Sequence, residues 1–93
     1  MRFTITDFEW DEGNEPKILR KHHVPSQEAE EVFYNDPLVR RARRGRYLAF
    51  GQTDAGRYVF VVFIRKAHGV IRVITARDMD RAERAAYRRH RGG

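Results

Sequence analysis

The sequence predicts one small α+β domain, a small antiparallel sheet packed by helices in the order β-α-α-β-β-β-α. Three observations predict it. Tyr58–Ile64 (YVFVVFI) is an almost unbroken run of β-branched and aromatic residues, as in a central strand covered on both faces. Turn signals flank it, Thr53-Asp54-Ala55-Gly56 before and Ala67-His68-Gly69 after, which place further strands on either side. Helix signals instead gather ahead of Pro37 and after Met79.

The elements follow in order. Phe3 and Ile5 alternate with Thr4 and Thr6, a short strand running to about Trp10. Asp11–Glu15 is an acidic turn, and Pro16 suits the first position of a helix, where its missing N–H is not needed. That helix ends near His22 or His23, with Ile18, Leu19 and Val24 as its apolar stripe. Pro25-Ser26 opens a second helix with Ser26 as N-cap and Glu28 in the first turn. Ala29, Val32 and Phe33 face inward there, while Glu28, Glu30 and Glu31 face outward. Asn35-Asp36-Pro37 stops it. Leu38–Gly45 (LVRRARRG) reads as a basic connector with at most a helical turn, and Tyr47–Phe50 as a strand. Val70–Ala76 is the last strand. Asp80 with Glu83 forms an Asp-x-x-Glu capping box for a final helix whose inner face is Ala82, Ala85, Ala86 and Tyr87.

Composition bounds the function. Ninety-three residues without cysteine leave no disulfide framework and no zinc-thiolate site. No apolar run reaches membrane-spanning length and the N-terminus lacks a signal-peptide core, so a soluble cytoplasmic protein is expected. The net charge of +6 is unevenly spread: residues 1–36 balance to −5 and residues 37–93 to +11. Sixteen of the nineteen basic residues are arginine, whose planar fork suits phosphate and carboxylate. Such a field attracts a polyanion.

Paired carboxylates and metal-ligand spacings are absent, as is a glycine-rich phosphate loop. What remains is basic residues interleaved with aromatics. Cleavage of RNA by its own 2′-hydroxyl needs cations to neutralise the transition state, a base, and an acid for the leaving 5′ oxygen. Arg46, Arg72, Arg77, Lys21, His22 and Tyr87 are the available stock; the arginines would hold phosphate, and His22 or Tyr87 would move the proton. Each has a plainer reading. Arg72 would equally pair with Glu9 or Asp11, Arg77 with helix-terminal carbonyls; Tyr87 would fill the core, and His22 would sit in the dipole of a helix end. Strand parity puts Arg72 with Ile74 on one face and Thr75 with Arg77 on the other, unless a bulge intervenes. Arg40, Arg41, Arg43, Arg44 and Arg65 complete the basic surface offered to RNA.

Phe8-Glu9-Trp10-Asp11, then Lys21-His22 before Val24, Glu28-Ala29, Val32-Phe33 and Asp36-Pro37, resembles the opening of BrnT-type toxins. Arg72-Val73-Ile74-Thr75-Ala76-Arg77 followed by Glu83-Arg84 and Tyr87 resembles that family's ending, so the resemblance covers nearly the whole chain. It implies a RelE-like fold and a metal-independent endoribonuclease toxin of a type II toxin–antitoxin pair, with no cofactor. It further implies a ribbon-helix-helix antitoxin as partner and operator DNA bound through the complex, with no membrane involved. Arg46, Arg72, Thr75, Arg77, Glu83 and Tyr87 match the family pattern. Asn14 and Ile18 stand where the family has lysine and asparagine, His23 where it has glycine, and the glutamate before Arg46 is missing. The departures make attenuated cleavage part of the expectation; the alternative is a non-catalytic subunit that binds antitoxin or nucleic acid.

Overall fold

A computed structural model of the chain describes residues 4–92, so the expected strand residue Phe3 lies outside the described residues. Five strands form one sheet: β1 (Asp7–Glu9), β2 (Leu38–Arg41), β3 (Arg46–Gln52), β4 (Tyr58–Arg65) and β5 (Val70–Asp78). Three helices accompany them, α1 (Glu15–His22), α2 (Ser26–Tyr34) and α3 (Arg81–Gly92). The strand order is β1-β5-β4-β3-β2, which puts the apolar run of β4 at the centre, as expected. Neighbours are antiparallel except β1, which runs parallel to β5, so the sheet is mixed at one edge. Between β4 and β5 the chain turns through His68 and Gly69, both at positive φ. A Cβ at Gly69 would stand 2.7 Å from the Thr4 carbonyl oxygen, so glycine is needed for β1 to lie this close.

The expected connector after Pro37 is instead strand β2. Its residues pair from Leu38↔Phe50 to Arg41↔Tyr47, and the chain reverses through Ala42–Gly45 with Arg44 and Gly45 at positive φ. Four arginines hid the Leu38/Arg40 and Val39/Arg41 alternation, yet charge is what a sheet edge favours.

α1 and α2 cover one face. Ile18, Val24, Ala29, Val32 and Phe33 meet Ala49, Val59, Val61, Phe63, Ile71, Val73 and Ala76 in the main core. Aromatic rings extend it: Phe33 lies 4.9 Å from Phe63 and 5.4 Å from Phe8, and Tyr47 stacks on Phe63 at 5.5 Å. Leu19, expected in the apolar stripe, is exposed. Only one stripe of so short a helix reaches the sheet.

Polar groups lock the helices in place. Asn14 is 2% exposed and uses its whole amide. It donates to the carbonyls of Glu9 and Val73 and accepts from the N–H groups of Asp11 and Glu15, which caps α1 and ties it to β1 and β5. Ser26 is the first helical residue of α2 and not its cap. Pro25 holds that position, and its carbonyl accepts from the Glu28 and Ala29 N–H groups. The three glutamates of α2 are engaged and not simply solvated: Glu28 pairs with Arg57, Glu30 accepts from the Trp10 indole at 2.7 Å, and Glu31 accepts from the Asp54 N–H. Arg57 also binds Asp78 and the carbonyls of His22 and His23.

α3 begins with the expected capping box, Glu83 N–H to Asp80 and Asp80 N–H to Glu83. Its inner face is narrower than expected. Tyr87 is buried, whereas Ala82, Ala85 and Ala86 are exposed, because the helix lies over one part of the second sheet face and leaves the rest open. That face of β4 is therefore half-buried and not fully covered.

Candidate functional site

The second sheet face carries the candidate site. Cross-strand partners share a face, so three rows can be read from the register. Arg46, Ile64, Arg72 and Glu9 make the first; Arg40, Leu48, Val62 and Thr75 the second; Leu38, Phe50, Phe60 and Arg77 the third. A bulge makes this possible. Val62 pairs with Thr75 while Phe63 pairs with Val73, which leaves Ile74 as the extra residue. Simple alternation would have separated Arg72 from Arg77; the bulge brings them to one face.

Two of these arginines are already held by carboxylates. Arg72 donates to Glu9 at 2.9 Å and to both Asp11 oxygens at 2.8 and 3.1 Å. Lys66 binds the same Glu9 at 3.0 Å. Asp11 and then Glu9 push the Arg72 guanidinium further up its basic range. Lys66 and then Arg72 hold the Glu9 carboxyl below its ordinary value, and Arg72 with the Gly13 N–H does the same for Asp11. Arg77 makes a fork with Glu83 at 2.9 and 3.0 Å and lies 4.4 Å over the Phe60 ring. Its guanidinium keeps Glu83 ionised to lower pH. Arg40 and Arg46 are exposed and make no ion pair among the described residues.

Tyr87 reaches the same face from α3. Its hydroxyl is buried and finds no hydrogen-bond partner among the described residues. The ring stands edge-on to Tyr58 at 6.1 Å. A cleft of about 230 Å³ adjoins it, lined by Leu38, Arg40, Phe50, Ala82, Glu83, Ala86 and Tyr87.

The other sequence candidates fall elsewhere. His22 and Lys21 lie in the last turn of α1, on the helix-covered side of the sheet. Arg43 and Arg44 occupy the turn between β2 and β3, and Arg41 and Arg65 project to the side opposite Arg40 and Arg72. There they flank a residue that the sequence did not single out. The Arg41 and Arg65 guanidiniums lie 5.9 and 5.8 Å from the centre of the Tyr47 ring. Arg65, then Arg41, lowers the Tyr47 phenol from its ordinary value. Only strand register joins these three residues, so spacing carried no signal for them.

Fold and site together define a small α+β domain with one sheet face sealed by helices and the other half-open, arginine-rich and apolar. The family model described as "Ribonuclease toxin, BrnT, of type II toxin-antitoxin system" matches residues 10–83. The chain belongs to the BrnT toxin family. A similar solved structure is the 1.1 Å crystal structure of the Brucella abortus ribonuclease toxin BrnT. The two share a TM-score of 0.70 at 22% identity, covering 84% of this chain and 100% of that one. The likeness extends the agreement in fold. A search of curated proteins gives no match. Membership implies an antitoxin partner. Among the described residues no helix is long and apolar enough to cross a membrane.

Proposed function

We propose that this chain is a metal-independent endoribonuclease toxin that grips the RNA backbone on the half-open sheet face. The observation that carries the reading is the bulge at Ile74, which sets Arg72, Thr75 and Arg77 on one face with Arg40 and Arg46. Arg46 and Arg40, free of carboxylates, supply the first phosphate contacts. Arg72 and Arg77 are pre-oriented by Glu9, Asp11 and Glu83 and share their charge with an incoming phosphate. In the reaction the 2′-oxygen bonds to phosphorus as the P–O5′ bond breaks. One proton leaves the 2′-hydroxyl and another goes to the departing 5′ oxygen. Tyr87 is better sited for proton transfer than His22, because α3 shares this face and α1 does not. The Tyr87 hydroxyl is buried, so α3 must shift for it to reach RNA.

The partner in this reading is a ribbon-helix-helix antitoxin, and the complex binds operator DNA. The test is incubation of purified protein with RNA in EDTA. Fragments ending in 2′,3′-cyclic phosphate and 5′-hydroxyl are expected, with a loss on the order of 10²-fold in a folded Arg46→Ala variant. RNA left intact at protein concentrations that retard it in a gel would establish the non-catalytic alternative instead.

A further inference from the structure

We propose that the cleft at Arg41 and Tyr47, with Arg65 beside the ring, is a second phosphodiester site for single-stranded RNA, in which the Tyr47 hydroxyl donates to a phosphate oxygen. The inference rests on the reading of this chain as an RNA-binding toxin and adds a contact on the other side of the sheet edge. The cleft measures about 290 Å³ and is lined by Arg41, Ala42, Gly45, Arg46 and Tyr47, with no carboxylate in its wall. That space is open to solvent and large enough for a hydrated phosphate group.

The register builds the site. Arg41, Tyr47 and Phe63 are directly opposite one another across β2, β3 and β4, and Arg65 lies two residues beyond Phe63. Stacking on Phe63 at an interplanar angle of 22° fixes the Tyr47 ring, so its hydroxyl projects from a rigid base. Elsewhere the fold sets carboxylates against its arginines: Arg57, Arg72 and Arg77 each bind one. Arg41 binds none among the described residues, and the adjoining turn adds Arg43 and Arg44. Gathering like charges without counter-charge is unfavourable unless an anion is held there. A hydrogen bond from Arg65 to the phenol oxygen, and then the charge of Arg41, hold the Tyr47 phenol below its ordinary value.

The experiment uses a 2′-O-methyl oligoribonucleotide, which binds without being cleaved, and inorganic phosphate as a separate probe. Arg41→Ala/Arg65→Ala should lower oligonucleotide affinity about tenfold or more and reduce the salt slope by about one to two. Tyr47→Phe, which keeps the stacked ring, should lose about fivefold, the worth of one hydrogen bond. Phosphate should raise the Tyr47 phenolate transition toward its ordinary 10.0, read as the absorbance difference between wild type and Tyr47→Phe. Circular dichroism verifies that each variant is folded. Wild-type affinity in the double variant overturns this site, and if Arg40→Ala weakens binding in the same assay the open-face reading survives alone. A phosphate shift without any change in oligonucleotide affinity overturns RNA as the ligand. Failure of the wild-type protein to bind the oligonucleotide removes both readings.

Discussion

The two faces of the sheet are built from nearly the same kinds of residue and are used differently. On the helix-covered face Ala49, Val59, Val61, Phe63, Ile71 and Val73 are fully buried. Across the backbone Leu48, Phe50, Phe60, Val62 and Ile64 are as apolar but only half-buried, with arginines at the ends of their rows. Stability therefore concentrates on the first face. The second is smooth, semi-dry and ringed by guanidiniums, where a charge gains strength from the apolar surroundings. An apolar strand run says which side chains favour leaving water, and not which face the chain itself covers.

Truncating one ring on each face should separate the two most strongly. Phe63→Ala should cost about 3–5 kcal/mol of unfolding free energy, because the cavity opens among Phe33, Tyr47 and the β5 residues. Phe60→Ala should cost less than about half of that, since its surroundings are already partly solvent. Urea unfolding of both variants measures the gap, and equal losses would mean that the open face is as dry as the covered one.

A smaller effect is expected at Asn14. Asn14→Ala removes the cap of α1 and leaves the buried Val73 carbonyl without its donor, a cost of about 2 kcal/mol. Urea unfolding with an unchanged slope would show that the amide acts through stability alone.

Acid should produce the smallest change; three of the four carboxylates with lowered pKa serve the open face, and the fourth, Asp78, is held down by Arg57 at the edge of the covered one. Glu9, Asp11 and Glu83 have lowered pKa values in the fold, so their stabilising contribution is complete above the ordinary carboxylate values of 4.5, 3.8 and 4.5. It is lost as pH falls through the depressed values, because the unfolded chain then binds protons that the folded one refuses. The urea midpoint should begin to drop as pH falls past about 4.5 and keep dropping at lower pH. Asp11→Asn should flatten that drop, while a covered-face variant such as Val61→Ala should leave its shape intact.

Much of the architecture was legible because local chemistry and global packing agree. Tyr58–Ile64 gave away the central strand, Pro16 the start of α1, and Asp80 with Glu83 the cap of α3. Arg72 paired with Glu9 and Asp11, the plainer of its two readings, while the family resemblance was also sound. The rest depended on long-range pairing. Charge masked β2, and the bulge at Ile74 reversed the expected parity of Arg77. Arg57, which joins Glu28, Asp78 and the end of α1, carries no local pattern that marks it for that role. Tyr47 acquires its neighbours only when three strands are in register. Such features are legible to topology, and a linear string does not hold it.

The parallel edge strand has a consequence in time. Asp7–Glu9 has no strand to pair with until Val70–Arg72 exists, and Glu9 and Arg72 are 63 residues apart. At ~5–20 residues per second, a ribosome needs roughly 3 to 13 s to synthesise the stretch between them. During that interval β1 has no strand to pair with, and the Glu9–Arg72 row cannot form. Translation itself thus imposes a delay before the sheet can close along its β1 edge.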